Sequence, residues 1–164
     1  MCAHGWPCAA FGSKEALYAE AVAQYMQLTR ALLWRHLDDA PSAKEGMRGL
    51  LLATARELTN CEGHPIGCMV TFATVDETMP ASVIAAIRNA RRDWLKVIRE
   101  RLETAVADNE IPRSTDLESL SRFFVGVVQS IGLQAHDGAA YAELENLVEL
   151  AMAAWPASTA RPRA

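Results

Sequence analysis

Four cysteines and four histidines are the side chains of this sequence best suited to hold a metal or to do covalent chemistry. Two clusters combine them: Cys2-x-His4-x3-Cys8 near the start, and Cys61-x2-His64-x3-Cys68 in mid-chain. Neither has the closely paired spacing with which zinc fingers and ribbons enclose a tetrahedral ion. They read as reduced thiols of a cytoplasmic protein, with a zinc site or a redox-sensing cysteine as the alternatives. No cofactor or metal is expected.

Catalysis finds no better support. The sequence has no glycine-rich phosphate loop, no His-Glu-x-x-His and no Glu-x-x-His pair one helical turn apart. His36 falls at a helix end, where the dipole favours it, and His64 and His136 fall in loops. Neither Ser121 nor Ser130 has both a histidine and a carboxylate near it in sequence to complete a triad. A small all-α enzyme is therefore the remote alternative. The one basic cluster, "RNARRDWLKVIRER" at 88–101, sets Arg88, Arg92, Lys96 and Arg99 on one side of a helix. Asp93, Glu100 and Glu103 are interleaved with them, which makes a solvated face of i,i+4 pairs. A net charge of −4 likewise argues against a chain that coats phosphate backbones.

The elements that would position any site all read as helix. At 164 residues the chain can bury a core or a ligand pocket. It is 51% hydrophobic, yet no apolar run approaches membrane-span length, and "MCAHGWPCAA" is not a secretory signal. In "FGSKEALYAEAVAQYM", Gly12 turns the chain, Ser13 caps a helix and Glu15 sits in its first turn. Leu17, Ala21, Tyr25, Leu28 and Leu32 then form one apolar stripe. Ser42 and Glu45 form a capping box for a second helix, with Met47, Leu51, Thr54 and Leu58 on one face. "CMVTFATVDE" has the β-branched content of a strand but no partner strand, so a short buried helix is expected. Pro80 suits position N1 of a long helix to about Asn109, with Val83, Ile87, Trp94, Ile98 and Leu102 inward. Thr115 and Glu118 cap the next, and Tyr141 to Trp155 make the last. The fold class is an all-α bundle of about six helices.

Two features favour a binding protein. Large and small apolar residues alternate on the inward faces, and "FFVGVVQSIGL" is apolar nearly all round, so it must be buried on every side. A two-fold partner achieves that most simply, with a central position in the monomer as the alternative.

"FGSKEALYAEAV" resembles the segment of tetracycline-repressor (TetR) family transcriptional regulators that closes the DNA-binding head and begins the long linking helix. Phe11, Ser13, Lys14, Glu15, Leu17 and Tyr18 carry the match. "HPIGCMVTFATVDE", 64–77, is similar to the segment that opens the short sixth helix in one subgroup. The resemblance extends from about Ala9 to Trp155.

It implies a TetR-like C-terminal bundle over 11–156, a homodimer, and a ligand-responsive regulator, most simply a repressor. Residues 116–134 and 139–155 would dimerise, through Phe124, Val128, Ile131, Leu144, Leu147, Val148, Ala151 and Trp155. A hydrophobic or aromatic small-molecule effector would bind between the middle helices, at Met47, Leu51, Ala55, Thr71, Trp94, Phe123 and Val127. A helix-turn-helix head needs on the order of 40 residues, and ten precede the junction. Residues 1–10 are thus expected to be a remnant of the head and 157–164 a frayed tail. Operator DNA is a partner only where such a head is present; a headless homologue that sequesters ligand or forms mixed dimers is the alternative.

Overall fold

The computed structural model describes residues 12–60, 68–73 and 80–157, and every element among them is helical. In order these are α1 (Lys14–Thr29), a π-helical turn (Arg30–Trp34), α2 (Arg35–Asp39), α3 (Ala43–Thr59), α4 (Met69–Phe72), α5 (Ala81–Ala107), α6 (Leu117–His136) and α7 (Tyr141–Met152). The two cysteine–histidine clusters lie outside the described residues except for Cys68, a buried free thiol. Phe11 and the expected head remnant and tail also lie outside them, apart from Ala157.

Side chains placed by the sequence start most of the helices. The Ser13 and Ser42 hydroxyls accept from the amides of Ala16 (3.1 Å) and Glu45 (3.2 Å), satisfying donors that the helix cannot. Pro80 takes the N-cap position of α5, one residue before the expected N1. The cap of α6 is Asp116, not Thr115, whose amide closes a turn onto the Pro112 carbonyl (3.0 Å). Asp116 accepts from the Ser119 amide (3.1 Å) and hydroxyl (2.7 Å), and these bonds hold its carboxyl below the usual range. At α3, Glu110 reaches back 67 residues, so that its carboxylate accepts from the Ala43 amide at 2.8 Å. That contact ties the loop after α5 to the start of α3.

Helix α3 is the hub. It packs against α2, α5, α6 and α7, and Met47, Leu50, Leu51 and Ala55 are fully buried along it. The expected inward stripe of α5, from Val83 to Leu102, is buried with Ala90 and Ala105. Where α3 crosses α2, a glycine lets the two backbones approach closely. A Cβ on Gly46 would lie 3.0 Å from the His36 carbonyl oxygen and 3.2 Å from Leu37 Cα, both backbone atoms. One turn along, a Cβ on Gly49 would meet only the His36 side chain, at 3.4 Å. We therefore expect Gly46→Val to destabilise the fold by about 3 kcal/mol in urea melts, and Gly49→Ala to be neutral or stabilising by up to about 1 kcal/mol.

The opening helix differs from its expected face. Leu17, Leu28 and Leu32 are 38–58% exposed, while Val22, Thr29, Leu33, Trp34 and Leu37 are buried. The buried face runs through Val22, Tyr25, Thr29, Leu33 and Leu37, itself at helical spacing and about one residue round from the expected stripe. The π-helical turn at Arg30–Trp34 holds one more residue than an α turn, and both Leu33 and Trp34 face inward there.

Candidate functional site

A cavity of about 620 Å³ lies between the opening helix and α5. Met26, Gln27, Arg30, Trp34, Leu37 and Asp38 wall one side of it. The other side is one stripe of α5 at i, i+3, i+7 and i+10: Trp94, Val97, Arg101 and Thr104. Trp34 and Trp94 stack across the junction, with ring centroids 5.9 Å apart and planes at 30°. The volume falls in the range of small-molecule sites.

Two polar atoms at this cavity stand out. Trp94 is 3% exposed, and its Nε1–H has no hydrogen-bond partner; nor does the buried Arg101 Nε–H. The Arg101 terminal nitrogen donates to the Ala40 carbonyl (3.3 Å), which anchors the guanidinium at the end of α2. A buried donor without an acceptor costs roughly 1–3 kcal/mol.

The space between the middle helices is nearly closed. Tyr25, Thr29, Leu33, Trp34, Thr54, Leu58, Cys68, Trp94 and Val128 surround a void of about 20 Å³, room for little more than one water. Within it the Tyr25 hydroxyl donates to the Cys68 sulfur (3.3 Å), while Thr54 and Thr29 bond to carbonyls of their own helices. Burial and the adjacent thiol push the Tyr25 hydroxyl well above the ordinary tyrosine range. Arg91 holds α4 in place by donating to the carbonyls of Val70 (2.8 Å) and Thr71 (3.2 Å). Among the described residues, no three histidine, cysteine or acidic side chains are grouped to bind a metal ion.

The seven residues expected to line a pocket do not converge. Trp94 lines both spaces, whereas Met47, Leu51 and Ala55 are packed inside the core away from them. Thr71 buries an unpartnered hydroxyl near Gly132. Val127 is 8% exposed, but Phe123 is 41% exposed on the outer face of α6. The eight residues expected at a dimer face are placed the other way. Phe124, Ile131, Leu144 and Val148 are fully buried within the chain, Val128, Ala151 and Trp155 nearly so, and Leu147 is half-buried. Trp155 lies beyond the end of α7 and packs on Phe124, with centroids 5.8 Å apart.

The outer stripe of α6 and α7 carries Phe123, Gly126, Leu133 and Leu150 instead. Phe123 is thus the exposed ring of the pair and Phe124 the buried one. Both stripes of α6 are apolar, and periodicity alone does not say which one the rest of the chain covers.

The basic run of α5 is occupied at the surface. Arg92 bonds Asn89, Lys96 pairs with Glu100, and Arg99 pairs with Glu103 and Glu118. Trp34, Arg30 and Arg101 are among the cavity residues that the sequence did not single out. The available signal was a tryptophan on each of two helices that the fold lays side by side.

A long opening helix with a π turn towards its end, lying over a cavity and packed on a helical bundle, makes an all-α fold. Residues 47–146 match the tetracyclin repressor-like C-terminal domain. The chain belongs to the TetR family of transcriptional regulators. It is similar to the TetR family transcriptional regulator CifR, solved as two cysteine-substituted forms, each complexed with 26-base-pair operator DNA. In both cases the identity is 36%, over 91% of this chain and 78% of the other, with a TM-score of 0.83. A Rhodococcus sp. RHA1 protein assigned to the same class of regulators is 28% identical over 92% of this chain and 80% of its own, with a TM-score of 0.69. No curated protein matches the chain.

Proposed function

We propose that residues 12–157 contain the effector-binding and dimerisation body of a ligand-responsive TetR-type repressor. The observation that carries this reading is the position of the 620 Å³ cavity directly under the opening helix. A ligand there touches the helix that, in the arrangement the family resemblance implies, leads to the DNA-reading head. The π turn is the element it acts on. One residue of extra register can be held at Arg30–Trp34 or released along the helix, and a ligand that binds one arrangement better shifts the population towards it.

Dimerisation is assigned to the outer stripe of α6 and α7, around Phe123, Gly126, Leu133 and Leu150. The effector is a hydrophobic or aromatic small molecule. Operator DNA is the partner of the complete regulator, as CifR is complexed with operator DNA, and no described residue is assigned to reading it. No helix among the described residues is long and apolar enough to cross a membrane. Amide hydrogen exchange along residues 26–38, with and without bound effector, tests the reading.

A further inference from the structure

We propose that the stacked Trp34–Trp94 pair is a door between the cavity under the opening helix and the small polar void behind it, and that Trp34 is the leaf that swings. The inference goes beyond the sensor reading and does not depend on it.

The pair stands between two spaces of very different size. Among the described residues, Trp34 and Trp94 line both the 620 Å³ cavity and the 20 Å³ void, and no other residue lines both. Their rings stack with centroids 5.9 Å apart, and the residues are 5% and 3% exposed, so together they make the shared wall. Behind that wall the lining turns polar, with Tyr25, Thr29, Thr54 and Cys68. The Tyr25 hydroxyl donates to the Cys68 sulfur, and both threonine hydroxyls donate to carbonyls of their own helices. Each hydroxyl oxygen still has acceptor capacity, so a small hydrogen-bonding molecule that enters finds partners there.

The backbone decides which ring moves. Trp94 belongs to the inward stripe of α5, with Ala90 and Ile98 buried one turn to either side. Trp34 ends the π turn, where the Arg35 amide donates to the Arg30 carbonyl five residues back and interrupts the regular α ladder. Space decides the direction. The void holds little more than one water and cannot take an indole, whereas the cavity can. Trp34 therefore swings outward, which breaks the stacking contact and joins the void to the cavity. The closed arrangement dominates and the open one is a minor population. A ligand lodged in the cavity holds the door shut.

Cys68 reports the opening, because it lines the void and is 5% exposed. The experiment is alkylation of Cys68 by iodoacetamide in the full chain under native conditions, read by peptide mass spectrometry so that the other three cysteines do not interfere. The wild-type rate should not change with urea below the unfolding transition, since a local swing exposes little surface. Trp34→Ala removes the leaf and should raise the rate by about tenfold or more. Leu58 lines the void but not the cavity, so Leu58→Ala enlarges the void without opening a route and should stay within about threefold of wild type. Val97→Phe narrows the cavity that the indole must enter and should slow labelling by about threefold or more. A wild-type rate that climbs with the first additions of urea would mean that Cys68 is reached only through global unfolding, and would overturn the proposal. Equal rates for Trp34→Ala and Leu58→Ala, or a rate that Val97→Phe leaves unchanged, would overturn it too. The sensor reading is untouched by any of these outcomes, because it stands or falls on exchange in the opening helix.

Discussion

Phe124→Ala should lower the stability of the folded chain by about 3–5 kcal/mol, the cost of deleting a large ring from a core that cannot fully collapse around the void. Phe124 has no exposed surface, stacks at a tilt on Trp155 (5.8 Å between centroids) and sits edge-on to Phe123 (5.1 Å). It joins α6 to the segment after α7, so its loss also loosens the chain end that Trp155 anchors. Urea unfolding measures the effect as a lower midpoint with little change in slope, which distinguishes a stability loss from a changed denatured state. Phe123→Ala, one residue away and 41% exposed, should cost under about 1 kcal/mol in the monomer. Comparable losses for the two would mean that the side of α6 facing the core has been misassigned.

The second large effect concerns assembly. Phe123 and Leu133 are 41% and 49% exposed on one stripe of α6, with Gly126 between them, where an added Cβ would meet nothing within 4 Å, and Leu150 on α7 is 74% exposed. A glycine with open space above it lets a partner helix approach closely. In a two-fold interface each substitution acts twice, because the same patch is present on both copies. Leu150→Glu should therefore place two carboxylates in the apolar centre of the interface and weaken the dimer at least 100-fold, about 2.7 kcal/mol. Sedimentation equilibrium of the wild-type chain should give a dimer at micromolar concentration, and the variant a folded monomer with unchanged helicity. A Leu150→Glu dimer of normal affinity would exclude this face. Phe124 and Val148, buried in the chain's own core, give no such specific readout, because their substitution unfolds the monomer first.

Much of the fold was legible because short-range signals and the 3.6-residue period agree over long stretches. Ser13 and Ser42 cap the helices they were expected to cap, and the α5 stripe from Val83 to Leu102 faces inward as its spacing requires. Legibility failed where two physical solutions share one pattern. Helix α6 is apolar on opposite sides, so its sequence fits a core facing Phe124 as well as one facing Phe123. The opening helix offers two stripes at helical spacing one residue apart, Leu17–Leu28–Leu32 and Val22–Thr29–Leu33, and the fold buries the second. The cavity was obscure for a related reason. Its walls come from the edges of two amphipathic faces, where Arg101 and Asp38 read as solvated charge until the helices are laid together. Thr115 and Asp116 differ by one position as caps, which is the ordinary precision of a helix boundary.

The central claim is that ligand in the cavity is felt by the opening helix, and amide hydrogen exchange addresses it most directly. With effector bound to the full chain, exchange should slow in residues 26–38 and 93–104, the two walls of the cavity, with the largest change around the π turn at Arg30–Trp34. Protection confined to 93–104, or to the region of Met47, Leu51 and Ala55, with residues 26–38 exchanging as in the free protein, would contradict it.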